Sequence, residues 1–113
     1  MRYALLICND ENAVISPEGR RERSAQFATF EDEMRTRGVL LGGERLRPTT
    51  RSTIVRVRDG GVVIADGPFA ETKEQIAGFY LVDCRDLDEA IEVASSIPGA
   101  RYGTIEVRPV WER

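Results

Sequence analysis

Arg2-Tyr3-Ala4-Leu5-Leu6-Ile7-Cys8, near the start of a 113-residue chain, decides the fold. Strand alternation puts Tyr3, Leu5 and Ile7 on one side and Ala4, Leu6 and Cys8 on the other, so both sides are apolar. Such a strand sits inside a sheet that needs cover on each face. Downstream, Ser16 reads as a helix cap with Pro17 at the first helical position. Phe27, Phe30 and Met34 then recur at helical spacing up to about Arg37. Gly38 fits the left-handed position that ends a helix, with Val39 packing back on Met34. Residues 39–46 read as a second strand in which Gly42-Gly43 indicates a bulge or a close approach.

Residues 52–58 and 61–66 alternate around Asp59-Gly60, a strong two-residue hairpin signal. That loop sets Val57 opposite Val62, Val55 opposite Ile64 and Asp66 beside Thr53. Residues 78–84 predict another strand, followed by Asp86 as a cap with Glu89 three residues on. Leu87, Ala90, Ile91, Ala94 and Ile97 mark one face of a second helix, stopped by Pro98-Gly99. A last strand over 104–111 puts Ile105, Val107, Pro109 and Trp111 on one face and Glu106 and Arg108 on the other, with Pro109 favouring an edge or a bulge. The order predicts an α+β fold of the ferredoxin-like βαββαβ kind with an inserted hairpin, in one domain over 1–113. Two helices cover one face of that sheet. The other stays apolar and bare, which predicts a homodimer with sheets packed face to face.

Composition narrows the function. A net charge of −3, with acidic residues interrupting Arg20-Arg21 and Arg23, argues against nucleic acid and gives that cluster the reading of a solvated helix face. The apolar run before Asn9 is too short to span a membrane and lacks a signal-peptide pattern, so a cytoplasmic protein is expected, with Cys8 and Cys84 as reduced thiols. No histidine is present, which removes Ser-His-Asp and Cys-His machinery and leaves carboxylates, tyrosine, lysine or cysteine for proton transfer. No glycine-rich phosphate loop, calcium loop or zinc-ligand spacing occurs, so neither a cofactor nor a metal is expected.

Asp66-Gly67-Pro68-Phe69-Ala70-Glu71-Thr72-Lys73-Glu74 concentrates charge, a turn and an aromatic ring in nine residues. Asp66 is the candidate base, a carboxylate at the sheet rim where partial desolvation raises its pKa; the alternative is an Asx-turn through Gly67. Phe69 follows a rigid proline and is expected to face inward, as core or pocket wall. Glu71, Lys73 and Glu74 read as a solvated turn. Glu106 and Arg108 share a face, as a pocket lining in which Arg108 binds an oxyanion or as an interfacial salt bridge. Tyr80 offers a phenol to the same cavity, or is packing.

This run, with Gly78-Phe79-Tyr80 and Glu106-Val107-Arg108-Pro109-Val110, resembles the YCII-related proteins named for their Asp-Gly-Pro-Phe (DGPF) motif. The resemblance implies a dimeric α+β barrel-like assembly and a loop bordering a cleft. Lys73 and Glu74 there would contact a ligand or the second subunit. By analogy with isomerases and lyases on related barrels, it implies carboxylate proton transfer on a small, partly apolar molecule, with Asp66 as base, Arg108 stabilising charge and Phe69 excluding water. The alternative it implies is a non-enzymatic metabolite-binding or regulatory protein, with an extracytoplasmic-function sigma factor as its regulatory partner. Relatives thought to pair a histidine with an aspartate differ from this chain.

Overall fold

The structure, a computed structural model, describes residues 1–112. Its elements are β1 (Arg2–Asn9), α1 (Pro17–Arg37), β2 (Leu40–Arg45), β3 (Thr53–Arg58), β4 (Gly61–Asp66), β5 (Gln75–Asp83), α2 (Leu87–Ser96) and β6 (Thr104–Pro109). Two helices, an antiparallel sheet and a β-hairpin make an α+β fold. The sheet runs β2-β5-β1-β6, while β3 and β4 pair only with each other. β1 is therefore central, as its two apolar faces require.

Local signals account for the element ends. The Ser16 hydroxyl accepts the Gly19 N–H at 3.0 Å, and Asp86 accepts the Glu89 N–H at 2.9 Å, each satisfying a donor that a helix start leaves open. Gly38, at φ 75°, ends α1. There its N–H bonds the Arg35 carbonyl and the Val39 N–H bonds the Met34 carbonyl, the paired bonds of a Schellman cap. Asp59 and Gly60 both take positive φ, as a two-residue hairpin loop needs. The hairpin register matches the sequence reading: Val57 faces Val62, Val55 faces Ile64 and Thr53 faces Asp66.

The register shifts in β2 between Leu40 and Gly42, a bulge at Leu41. β5 starts three residues before the predicted position, because Gln75 and Ile76 still pair with Asn9 and Cys8 beyond a second irregularity in β1. Tyr3, Leu5 and Ile7 of β1 and Tyr80 and Val82 of β5 form the core with Phe30 and Met34 of α1 and Ala90, Val93, Ala94 and Ile97 of α2. Burying each large side chain contributes about 1.5–3 kcal/mol. The α2 reading needs correction. Leu87 and Ile91 lie half exposed and Val93 is buried, because the side of α2 turned to the sheet is centred between Ala90 and Val93.

Both helices contribute to the core on one face. On the other, Ala4, Leu6, Phe79 and Leu81 are only partly covered and Ile76 is exposed. The molecule measures 48 × 44 × 19 Å with a radius of gyration of 16.1 Å, against about 13 Å for a compact chain of this length. Its thin, extended outline leaves the hairpin projecting as an arm. Among the described residues, no helix is long and apolar enough to cross a membrane.

Candidate functional site

α1 has 21 residues, about 31 Å of helix, but buries only Phe30 and Met34. Its N-terminal turns overhang, and beneath them lies an open cleft of about 1100 Å³, slightly larger than the usual small-molecule site. Ile7 and Phe27 give it apolar lining, and Arg20, Arg23, Arg45 and Arg47 bring guanidinium groups to it. Tyr80 donates from its hydroxyl to a Glu31 carboxylate oxygen at 2.7 Å. Burial, then that bond and the Glu31 charge, push the phenol pKa up, so Tyr80 is a hydrogen-bond donor and not a base at neutral pH. Arg23 lies over the Tyr102 ring, 3.6 Å from its centroid, in a cation–π contact.

Of the cleft's carboxylates, Asp10 accepts the Asn12 N–H at 2.9 Å. Glu11 accepts the Thr49 N–H at 2.8 Å and its hydroxyl at 2.6 Å. Glu31 is taken by Tyr80, and Glu44 is the fourth. None of the four guanidinium groups has an ion-pair partner among the described residues, whose salt bridges involve Arg2, Arg35, Arg37, Arg85 and Arg108.

The residues singled out from the sequence fall into three places. Tyr80 lines the cleft on the helix-covered face, opposite Leu5 in the register, while Glu106 and Arg108 stand opposite Leu6 and Ala4 on the bare face. The phenol therefore does not share a cavity with that pair, because neighbouring register positions point to opposite sides. Arg108 donates to Glu106 within its own strand. Glu74 belongs with them: its carboxylate and that of Glu106 both act on the Cys8 thiol.

Asp66, Phe69 and Lys73 lie at the base of the arm, and all three are exposed. Phe69 is 78% exposed, contrary to the inward ring expected from the sequence, since no element among the described residues stands over the loop after β4. Desolvation of Asp66 is likewise not provided by this chain. The turn is held by the Gly67 N–H, which donates to the Ser52 carbonyl at 2.9 Å. A Cβ on Gly67 would lie 2.6 Å from that of Ser52, so the close approach accounts for glycine there. Gln75 fastens the loop to β5 through the Ala70 carbonyl at 3.1 Å.

The YCII-related domain matches residues 1–113. The chain belongs to the YCII-related family. It is also similar to an uncharacterized protein of Rhizobium meliloti (strain 1021), 40% identical over 114 residues that cover 97% of this chain and 92% of the relative. In this YCII-related chain the sequence reading missed Arg20, Arg23 and Glu31. A signal was available: with Phe27 they recur at three- and four-residue steps, which gives α1 a second functional face beside its apolar one. Arg45, Arg47 and Tyr102 carry no such pattern, because only the tertiary fold brings them to the same cleft.

Cys8 and Cys84 are free thiols. Burial first, then the Glu106 and Glu74 carboxylates, raise the Cys8 pKa. Alkylation of Cys8 by iodoacetamide at pH 8, followed by peptide mass mapping, is therefore expected to run roughly 3–10-fold slower than that of a free cysteine, and Glu106→Gln should speed it. Labelling at the free-thiol rate, unchanged by the substitution, would count against this environment.

Proposed function

We propose that this YCII-related protein binds a small, partly apolar organic anion, a carboxylate in the first instance, in the cleft beneath α1. The observation that carries the reading is the set of four guanidinium groups, Arg20, Arg23, Arg45 and Arg47, around one cleft without carboxylate partners among the described residues, while three cleft carboxylates are engaged by the protein itself. Guanidinium offers paired donors that match a carboxylate, and the apolar lining accepts the rest of such a ligand. We further propose that the ferredoxin-like core dimerises through its bare sheet face into an α+β barrel, and that the Asp66-Gly67-Pro68-Phe69 run belongs to the motif-defined subgroup of the family.

Thermal-shift and calorimetric titration with benzoate, phenylacetate and salicylate, against the matching amides, tests the binding. Carboxylates should stabilise the protein and amides should not. Replacing Arg23 and Arg45 together by alanine should weaken binding at least ~10-fold, the scale of losing one charged hydrogen bond. Equal responses to acids and amides, or none to either, would sink the reading.

A second reading, carboxylate proton transfer of the isomerase or lyase kind, gains support from the Tyr80–Glu31 hydrogen bond on the cleft wall. It moves the proton-accepting role from exposed Asp66 to Glu31. Turnover abolished by Glu31→Gln and retained by Asp66→Asn would favour it; the reverse pattern would return the role to Asp66.

A further inference from the structure

Arg23 differs from the other guanidinium groups of the cleft. Arg20, Arg45 and Arg47 are exposed, while Arg23 is partly covered and lies against the Tyr102 ring. Its guanidinium carbon is 3.6 Å from the ring centroid, the contact distance of stacked planes; a guanidinium aiming an N–H edge at the ring would hold its carbon farther out. A stacked guanidinium uses only its face on the ring. Its in-plane N–H donors stay free, and among the described residues no carboxylate pairs with them.

The ring has a fixed seat. Tyr102 follows the 3-10 turn Pro98–Arg101. The Gly103 N–H donates to the Gly99 carbonyl at 2.8 Å, and a Cβ on Gly103 would collide with the Cys8 carbonyl oxygen, so the backbone beside Tyr102 is pressed against β1. A Cβ on Gly99 would stand 3.5 Å from Cζ of Phe27, which brings the same turn against α1 about one helical turn beyond Arg23. The cation–π pair is thus carried on two segments already packed together.

We infer that Tyr102 is a positioning residue for anion binding: by stacking on Arg23 it holds the guanidinium ready for a forked pairing with the ligand carboxylate. The inference rests on the reading of the cleft as an organic-anion site. Ordering a long side chain before the ligand arrives removes part of the entropy cost of binding it. A salt bridge would hold Arg23 equally still, but it would occupy the donors that the ligand needs.

Calorimetric titration of the full chain with benzoate, in a cycle of Tyr102→Leu, Arg23→Ala and the two together, is the test. Tyr102→Leu should raise Kd about 3–10-fold, the scale of freeing one long side chain. Tyr102→Phe, which keeps the stacking face, should recover most of that loss. With Arg23 already replaced by alanine, Tyr102→Leu should change Kd less than ~2-fold, because the tyrosine acts only through the arginine. A merely structural tyrosine would weaken binding in both backgrounds, and that result would overturn the inference. So would a Tyr102→Leu chain that binds benzoate as tightly as wild type, with the anion reading of the cleft left standing. A wild type that binds neither benzoate nor phenylacetate nor salicylate would overturn both. If Tyr102→Leu does not fold, Tyr102→Gln, uncharged and without a ring, replaces it in the cycle with the same expected outcomes.

Discussion

Gly43→Val should cost more than ~3 kcal/mol of stability and leave little folded protein, because overpacking here meets main chain and not a yielding side chain. A Cβ at this position would lie 2.4 Å from the Phe79 carbonyl oxygen and 2.6 Å from Cδ1 of Tyr80. Relief would require β2 to leave β5, which opens the edge of the sheet. The neighbouring Gly42 supplies the comparison: beyond its own chain neighbours, nothing among the described residues lies within 4 Å of where its Cβ would stand. Gly42→Ala should therefore stay within about 0.5 kcal/mol of wild type. Urea unfolding of the two variants reads the difference, and equal losses would contradict the close approach of β2 and β5 at Gly43.

The second large effect is expected at Glu89, a carboxylate only 7% exposed. It accepts the Arg85 N–H at 2.9 Å and pairs with the Arg85 guanidinium at 2.9 Å and that of Arg37 at 3.6 Å. Arg37 closes the last turn of α1, so one side chain on α2 ties both helices together above the core. Glu89→Ala strands the Arg85 N–H and removes the charge between two cations, at a cost of about 2–4 kcal/mol. Glu89→Gln keeps an acceptor for that N–H and should lose roughly half as much. Thermal melts separate them; an alanine variant as stable as wild type would show that the three-way contact contributes nothing.

How far the sequence carries the reader differs between backbone and site. Features encoded over a few residues were legible: the Ser16 and Asp86 caps, the Gly38 turn and the pairing around Asp59-Gly60 each depend on neighbours in the chain. Leu87 and Ile91 were misplaced because α2 has apolar residues on more than one side, and only its docking on the sheet selects Val93. Tyr80 and the Glu106–Arg108 pair were grouped because both belong to strands of the same sheet, yet a single step of register separates its faces. The inward Phe69 reading treated an aromatic ring as evidence of a wall inside the same chain. The cleft was least visible, since its guanidinium groups come from one end of α1 and from the segment after β2, and their convergence follows from how far the helix overhangs.

The bulge at Leu41 distorts β2, which is one border of the four-stranded sheet, and Pro109, which has no N–H to donate, closes β6 at the other. Both borders thus resist the addition of a foreign strand, the step by which unprotected sheets polymerise into fibrils. Sideways growth of this sheet is thereby disfavoured at both ends, and long fibrils built on its borders are not the expected product of concentrating the protein.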